Sequence, residues 1–223
     1  NFESMRTARL CAAEALYSEI MEKTENSSGK IYLFFDEIQE VESWEKCINS
    51  LRVDLNCDIY ITGSNAKLLS GELATYLTGR YVEFVIYPFS YSEFKELYLS
   101  VFPDAEETAC FRVYLTSGGM PYLSNLRYEE NPSMQYLEDL YNSVVLKDIL
   151  KRNNVRDVAL LERIIAYITA NIGTPFSASS ISRFLKSEGR TASVETVLNY
   201  IRHCLDAYLF YRVKRQDLQG KQI

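Results

Sequence analysis

Apolar residues along this chain follow two periods, and the switch between them marks out its elements. From Phe2 to Glu25 the spacing is helical, with Met5, Leu10, Ala13, Leu16, Tyr17 and Ile20 forming an approximate stripe that Asn26-Ser27-Ser28-Gly29 terminates. Ile31 to Phe35 is an unbroken apolar run between a turn and Asp36-Glu37, which predicts a strand buried on both faces, as in a parallel sheet. Trp44 to Leu55 reads as a helix and Asp58 to Thr62 as a second short strand, ending at Gly63-Ser64-Asn65. Helical pieces follow to about Leu77, then a third strand is predicted over Tyr81 to Tyr87, closed by Pro88. Strands alternating with helices imply a parallel α/β sheet.

After Ser90 the pattern is helical throughout. Ser90 to Ser100, Asp104 to Thr116 and Ser133 to Leu150 read as helices, and Ser117-Gly118-Gly119-Met120-Pro121 interrupts them where a helix C-terminus is expected. Three further helices, Val158 to Ala170, Ser177 to Ser187 and Ser193 to Ala207, follow with Gly189-Arg190 in the last turn between them. Tyr208 to Val213 looks like a strand, and Lys221-Gln222-Ile223 the start of its hairpin partner. Three helices plus a hairpin describe a winged helix-turn-helix. The organisation expected is thus an α/β core over residues 1–89, a helical region over 90–156 and a winged helix over 157–223.

Charge sharpens this division. Residues 1–150 carry 12 basic and 24 acidic residues, whereas residues 151–223 carry 12 basic and 6 acidic. An acidic body with a basic C-terminal module suits nucleic-acid contact; equally, the charges solvate a small helical domain or face the acidic body. The five cysteines show no metal-ligand spacing and no disulfide framework, which predicts reduced, mostly buried thiols in a cytoplasmic protein. No run approaches a membrane helix of ~20 apolar residues, and Asn1 to Leu10 does not read as a signal peptide.

The sharpest chemical signal is Asp36-Glu37, two acids at the carboxyl end of a strand, where open parallel sheets bind their ligands. An aspartate there can hold magnesium that bridges nucleotide phosphates, and the adjacent glutamate can orient or deprotonate a water. Alternatively both acids begin a helix and favour its N-terminal dipole. Asn65, beyond the second strand, can reach a γ-phosphate or a water, or act as a turn or cap residue. Arg80, before the third strand, can stabilise phosphoryl-transfer charge in a neighbouring site, or form a surface ion pair. Other chemistries lack their residues. His203 is the only histidine, Gly63-Ser64 lacks the second glycine of a nucleophile elbow, and zinc would need Cys/His clusters. A phosphate-binding G-x-x-x-x-G-K-[ST] loop is also missing: Gly29-Lys30 and Gly220-Lys221 both fail the pattern.

Ile31 to Trp44, Ile61-Thr62-Gly63-Ser64-Asn65 and Leu77-Thr78-Gly79-Arg80-Tyr81 together resemble the prokaryotic AAA+-superfamily ATPases that carry a C-terminal domain of unknown function. The likeness continues through Tyr87 to Phe94, Gly118-Gly119-Met120-Pro121 and Thr196-Val197-Leu198-Asn199-Tyr200-Ile201. It implies that Asp36 and Glu37 are a Walker B pair, with Asp36 serving the metal, that Asn65 lies in the sensor-1 region and that Arg80 is a candidate arginine finger. It implies ATP and Mg2+ as cofactors of an intact parent protein with a P-loop NTPase core and a helical lid. Such proteins place Walker A ahead of the segment that Asn1-Phe2-Glu3 resembles, and extend beyond the winged helix into a further α/β domain. The sequence is therefore expected to be a truncated part of such a protein, inactive alone for want of Walker A. In the winged helix, Arg190, Ser193, Asn199, Arg202 and His203 are the candidate contacts to DNA, with a partner protein as the other occupant and homo-oligomerisation as a further expectation. The rival readings are a non-enzymatic DNA-binding regulator and an interaction module built on an α/β scaffold.

Overall fold

Among the described residues two strands form, and they are the pair the sequence places around the first crossover. β1 (Ile31–Phe35) and β2 (Cys57–Ile61) run parallel, with Ile31 opposite Cys57 and Phe35 opposite Ile61. The connection between them holds a short 3-10 turn, Ile38–Glu40, and α2 (Trp44–Asp54), the kind of crossover that parallel pairing demands. α1 (Ala13–Thr24) packs on α2, and α2 on β2. Leu16, Ile20, Phe35, Ile38, Trp44, Ile48 and Leu51 make the buried core of this part, with Leu33, Ile59 and Ile61 packed against it. The computed structural model describes residues 1–2, 4–63 and 79–213. It divides into two compact units, one comprising residues 1–81 with the chain from Val155 onward, the other Val82–Asn154.

Three features up to residue 87 differ from the sequence expectation. β1 is not buried on both faces: Leu33 and Phe35 face the core, while Phe34 is 73% exposed and its ring stacks on Tyr60 at 4.8 Å. The core gathers residues of alternate parity, and a strand's side chains alternate between faces. The single helix expected over residues 2–25 is interrupted. A 3-10 turn, Ala8–Leu10, precedes α1, and between them Ala12 bridges to Glu42. There the Cys11 carbonyl accepts from the Glu42 N–H (2.8 Å) and the Glu42 carbonyl from the Ala13 N–H (3.1 Å), so long-range bonds replace helical ones. Finally, Tyr81 to Tyr87 forms no strand, and Phe84 and Ile86 are 81% and 87% exposed. Its β-branched and aromatic residues suit extension, but a strand exists only where a neighbour takes its backbone groups, and among the described residues no ladder includes it.

The unit Val82–Asn154 is helical. α3 (Tyr91–Val101), α4 (Glu107–Ser117) and α5 (Glu130–Ser143) are joined by a 3-10 turn at Pro121–Ser124, and α5 runs into a π-helical stretch, Val144–Lys151. Its centre is aromatic. Phe94 and Tyr98 are buried with Cys110, and the Tyr128 ring lies 5.3 Å from that of Phe94 and 5.0 Å from that of Tyr98. Ser90 opens α3 in a capping box, its N–H donating to the Glu93 carboxylate at 2.8 Å. The two hydrogen bonds from Ser90, side chain first and backbone second, lower the pKa of Glu93.

The region from Val155 holds α6 (Val158–Ala170), α7 (Ala178–Ser187) and α8 (Val194–Asp206) around Leu160, Ile164, Ile168, Ile181, Leu185 and Val197. Each start is capped: Asp157 accepts from the Leu160 N–H (2.9 Å), Ser177 from Ser180 (3.1 Å) and Ser193 from Thr196 (3.0 Å). The Arg163 guanidinium pairs with the Glu188 carboxylate and lies 5.4 Å over the Phe184 ring, tying α6 to the end of α7. Tyr208 to Val213 is irregular rather than a strand, for the same reason as residues 81–87: no ladder includes it. Its proposed partner, Lys221-Gln222-Ile223, lies outside the described residues. Among the described residues, no helix is long and apolar enough to cross a membrane. Cys47, Cys110 and Cys204 are buried free thiols, and burial pushes Cys47 up to about 11 and Cys204 to about 12, which keeps both protonated and unreactive at neutral pH.

Candidate functional site

The register of the two strands builds the site. Because Phe35 lies opposite Ile61, the residues that follow them, Asp36 and Thr62, leave the sheet side by side at its carboxyl end. The Thr62 N–H donates to the Phe35 carbonyl (2.8 Å), and the Ile38 N–H donates to the Thr62 carbonyl (3.4 Å). Pairing therefore runs past β1 and brackets the two acids. The Thr62 hydroxyl donates to Asp36 Oδ1 at 2.5 Å, and Asn1 Nδ2 donates to Asp36 Oδ2 at 2.8 Å. The Glu37 N–H donates to Thr62 Oγ1 at 3.4 Å, and the Gln39 side-chain amide donates to Glu37 Oε2. Phe2, stacked on Phe35, donates its N–H to the Asp36 carbonyl at 3.1 Å.

This geometry bears on the capping alternative. Glu37 precedes the 3-10 turn Ile38–Glu40, yet its side chain makes no cap hydrogen bond, and its backbone is left-handed (φ 56°, ψ 48°). Such a conformation costs roughly 1–2 kcal/mol for a residue with a Cβ and gathers at functional sites. Asp36 is exposed beyond the sheet, and Glu37 is half-buried. The available donors are hard oxygens, two carboxylates and a hydroxyl, a set that suits Mg2+, which takes one or two carboxylates and completes its shell with water and phosphate. Among the described residues no group of three or more His, Cys, Asp or Glu side chains could enclose a metal. The glycine-rich cradle for nucleotide phosphates is not in this sequence.

The other candidates are placed less informatively. Asn65 lies outside the described residues. Arg80 is exposed in a bend. In the C-terminal helices Arg190, Ser193 and Arg202 are exposed, whereas Asn199 and His203 are half-buried, the His203 ring lying 6.3 Å from that of Tyr200. Ser193 has a structural task as the cap of α8, so Ser193→Ala is expected to cost about 1 kcal/mol, read as a lower midpoint in urea unfolding. Thr62 and Gln39, which contact the acids together with Asn1, carry no local signal that marks them as part of a site. Thr62 was legible only as a strand end; an in-register alignment of the two five-residue strands is the signal that finds it.

The paired carboxylates lie beyond the carboxyl ends of two parallel strands, the position where open α/β sheets bind ligands. Residues 1–95 match the AAA domain family, and residues 108–220 match a domain of unknown function, DUF8612. The chain belongs to the family that this second domain defines, with an AAA segment ahead of it. An uncharacterized protein of Haemophilus influenzae is 40% identical over 221 residues, 99% of this chain and 55% of that protein. An uncharacterized protein of Methanocaldococcus jannaschii is 30% identical over 234 residues, covering all of this chain and 51% of that protein. The chain thus spans about half the length of the curated relatives it matches. No solved structure matches it. AAA domains in related proteins use ATP and Mg2+.

Proposed function

We propose that this chain is part of an ATP-hydrolysing AAA+ protein in which Asp36 and Glu37 form the Walker B pair. The observation that carries the reading is the pair's position: both acids stand past the carboxyl end of β1, the Asp36 carboxylate accepting from Thr62 just beyond β2, the Glu37 N–H donating to the same hydroxyl, and neither side chain making a helix-cap bond. Asp36 would hold Mg2+, whose charge there offsets that of the nucleotide phosphates. Glu37 would accept the proton of the attacking water or orient it. Asn65 in the sensor-1 region and Arg80 as an arginine finger complete the proposal, and an arginine acting across subunits implies a homo-oligomer. The phosphate grip must come from sequence outside these residues, so the chain by itself is expected to be inactive. The test is ATP hydrolysis by the full-length protein, with and without Mg2+, and its loss on changing Glu37.

The regions proposed are an ATPase core over residues 1–89, a helical lid over 90–156 and, from residue 157 onward, a three-helix helix-turn-helix, without the wing strand expected over 208–213, whose α8 is the recognition element. Support for the last comes from three capped helices sharing one core and from Arg190 and Arg202 exposed at the turn before α8 and on α8. Val194 and Leu198, 41% and 49% exposed on the same helix, favour a protein partner instead. Salt separates the two. If DNA binds, log K falls with log salt, and Arg190→Ala and Arg202→Ala each flatten the slope by about one. A slope near zero, with binding lost on Leu198→Asp, would indicate protein docking.

A further inference from the structure

We propose that Thr62 is the positioning residue of the carboxylate pair, its hydroxyl setting both the aim of Asp36 and the backbone of Glu37. The inference rests on the ATPase reading and deepens it. Thr62 is the residue of β2's continuation that register places beside Asp36. Its own backbone is fixed on both sides, by the Phe35 carbonyl and the Ile38 N–H, so the hydroxyl projects from a rigid support. That one hydroxyl works in both directions. It donates to Asp36 Oδ1 (2.5 Å) and accepts the Glu37 N–H (3.4 Å). The first bond holds one carboxylate oxygen and restricts rotation about the Asp36 side chain. The second favours the left-handed conformation of Glu37, which a residue with a Cβ otherwise avoids (φ 56°). A site that must hold a metal through one acid and a water through the next needs the two side chains at a set angle. A left-handed residue between strand and turn sets that angle, and Thr62 stabilises it. Valine keeps the branched shape of threonine and removes the hydroxyl; serine keeps the hydroxyl and removes the methyl.

The test compares Thr62→Val with Thr62→Ser in the full-length protein. Amide hydrogen exchange over residues 36–38, without nucleotide, should quicken about tenfold in Thr62→Val, the effect of losing about one hydrogen bond, and stay within about twofold of wild type in Thr62→Ser. The Mg2+ concentration that half-saturates ATP hydrolysis should rise about tenfold in the valine variant only. Equal effects of the two substitutions, or none from valine in an active protein, would overturn the proposal. If the wild-type protein hydrolyses no ATP at all, it is the ATPase reading that fails, and the Thr62 proposal falls with it.

Discussion

Replacing Glu37 with glutamine in the full-length protein should lower ATP turnover by roughly 10²- to 10⁴-fold while leaving ATP binding intact. That range is what a positioned general base contributes. Glutamine keeps the size of the side chain and its capacity to accept the Gln39 amide through its oxygen. It cannot take a proton, so a loss of turnover isolates the chemistry from the fold. Binding, followed by equilibrium titration of a fluorescent ATP analogue, should change by less than about twofold, because phosphates and metal are held elsewhere. Asp36→Asn has a different signature: it weakens the carboxylate offered to the metal, so its defect should lessen as Mg2+ is raised. Unchanged hydrolysis in Glu37→Gln would remove Glu37 from the mechanism and return the carboxylates to a structural role.

The second large effect falls on stability. Gly119→Ala should destabilise the unit Val82–Asn154 by about 3 kcal/mol or more, the upper range for forcing atoms into filled space. An added Cβ would stand 2.1 Å from the Phe89 carbonyl oxygen and 2.8 Å from the Phe89 nitrogen, both backbone atoms that no rotamer change can move aside. The same contact is a hydrogen bond, from the Phe89 N–H to the Gly119 carbonyl at 2.8 Å, so relieving the clash breaks a tie between the start of α3 and the end of α4. The adjacent Gly118→Ala meets no atom within 4 Å, but its backbone (φ 72°, ψ −165°) is one that only glycine adopts readily. It should cost about 1–3 kcal/mol through strain alone. Urea unfolding of the chain, monitored by hydrogen exchange within residues 82–154, separates the two. An alanine at position 119 that unfolds like wild type would mean that Phe89 and Gly119 do not meet.

The acids at the end of β1 were legible because a run of five apolar residues that stops abruptly at Asp-Glu carries its meaning in composition alone. Thr62 was not, since what distinguishes it from any other strand-end threonine is the residue it stands beside. The glycine pair at 118–119 was legible as a helix stop, but its close approach to Phe89 joins positions thirty residues apart and has no local signature.

The same distinction holds across the chain. Sequence by itself determined α2, α3, α6, α7 and α8 and both strands to within a few residues, the pairing of acids and the kinship with AAA domains. Helical hydrogen bonds and caps join residues a few positions apart, so their cause is written locally. Tertiary structure alone decided that the first helix breaks where Ala12 meets Glu42, that among the described residues β1 buries the side of Leu33 and Phe35 and leaves Phe34 exposed, and that residues 81–87 and 208–213 join no ladder there. A strand's bonds belong to its neighbour, and whether a neighbour is present is a property of the folded chain.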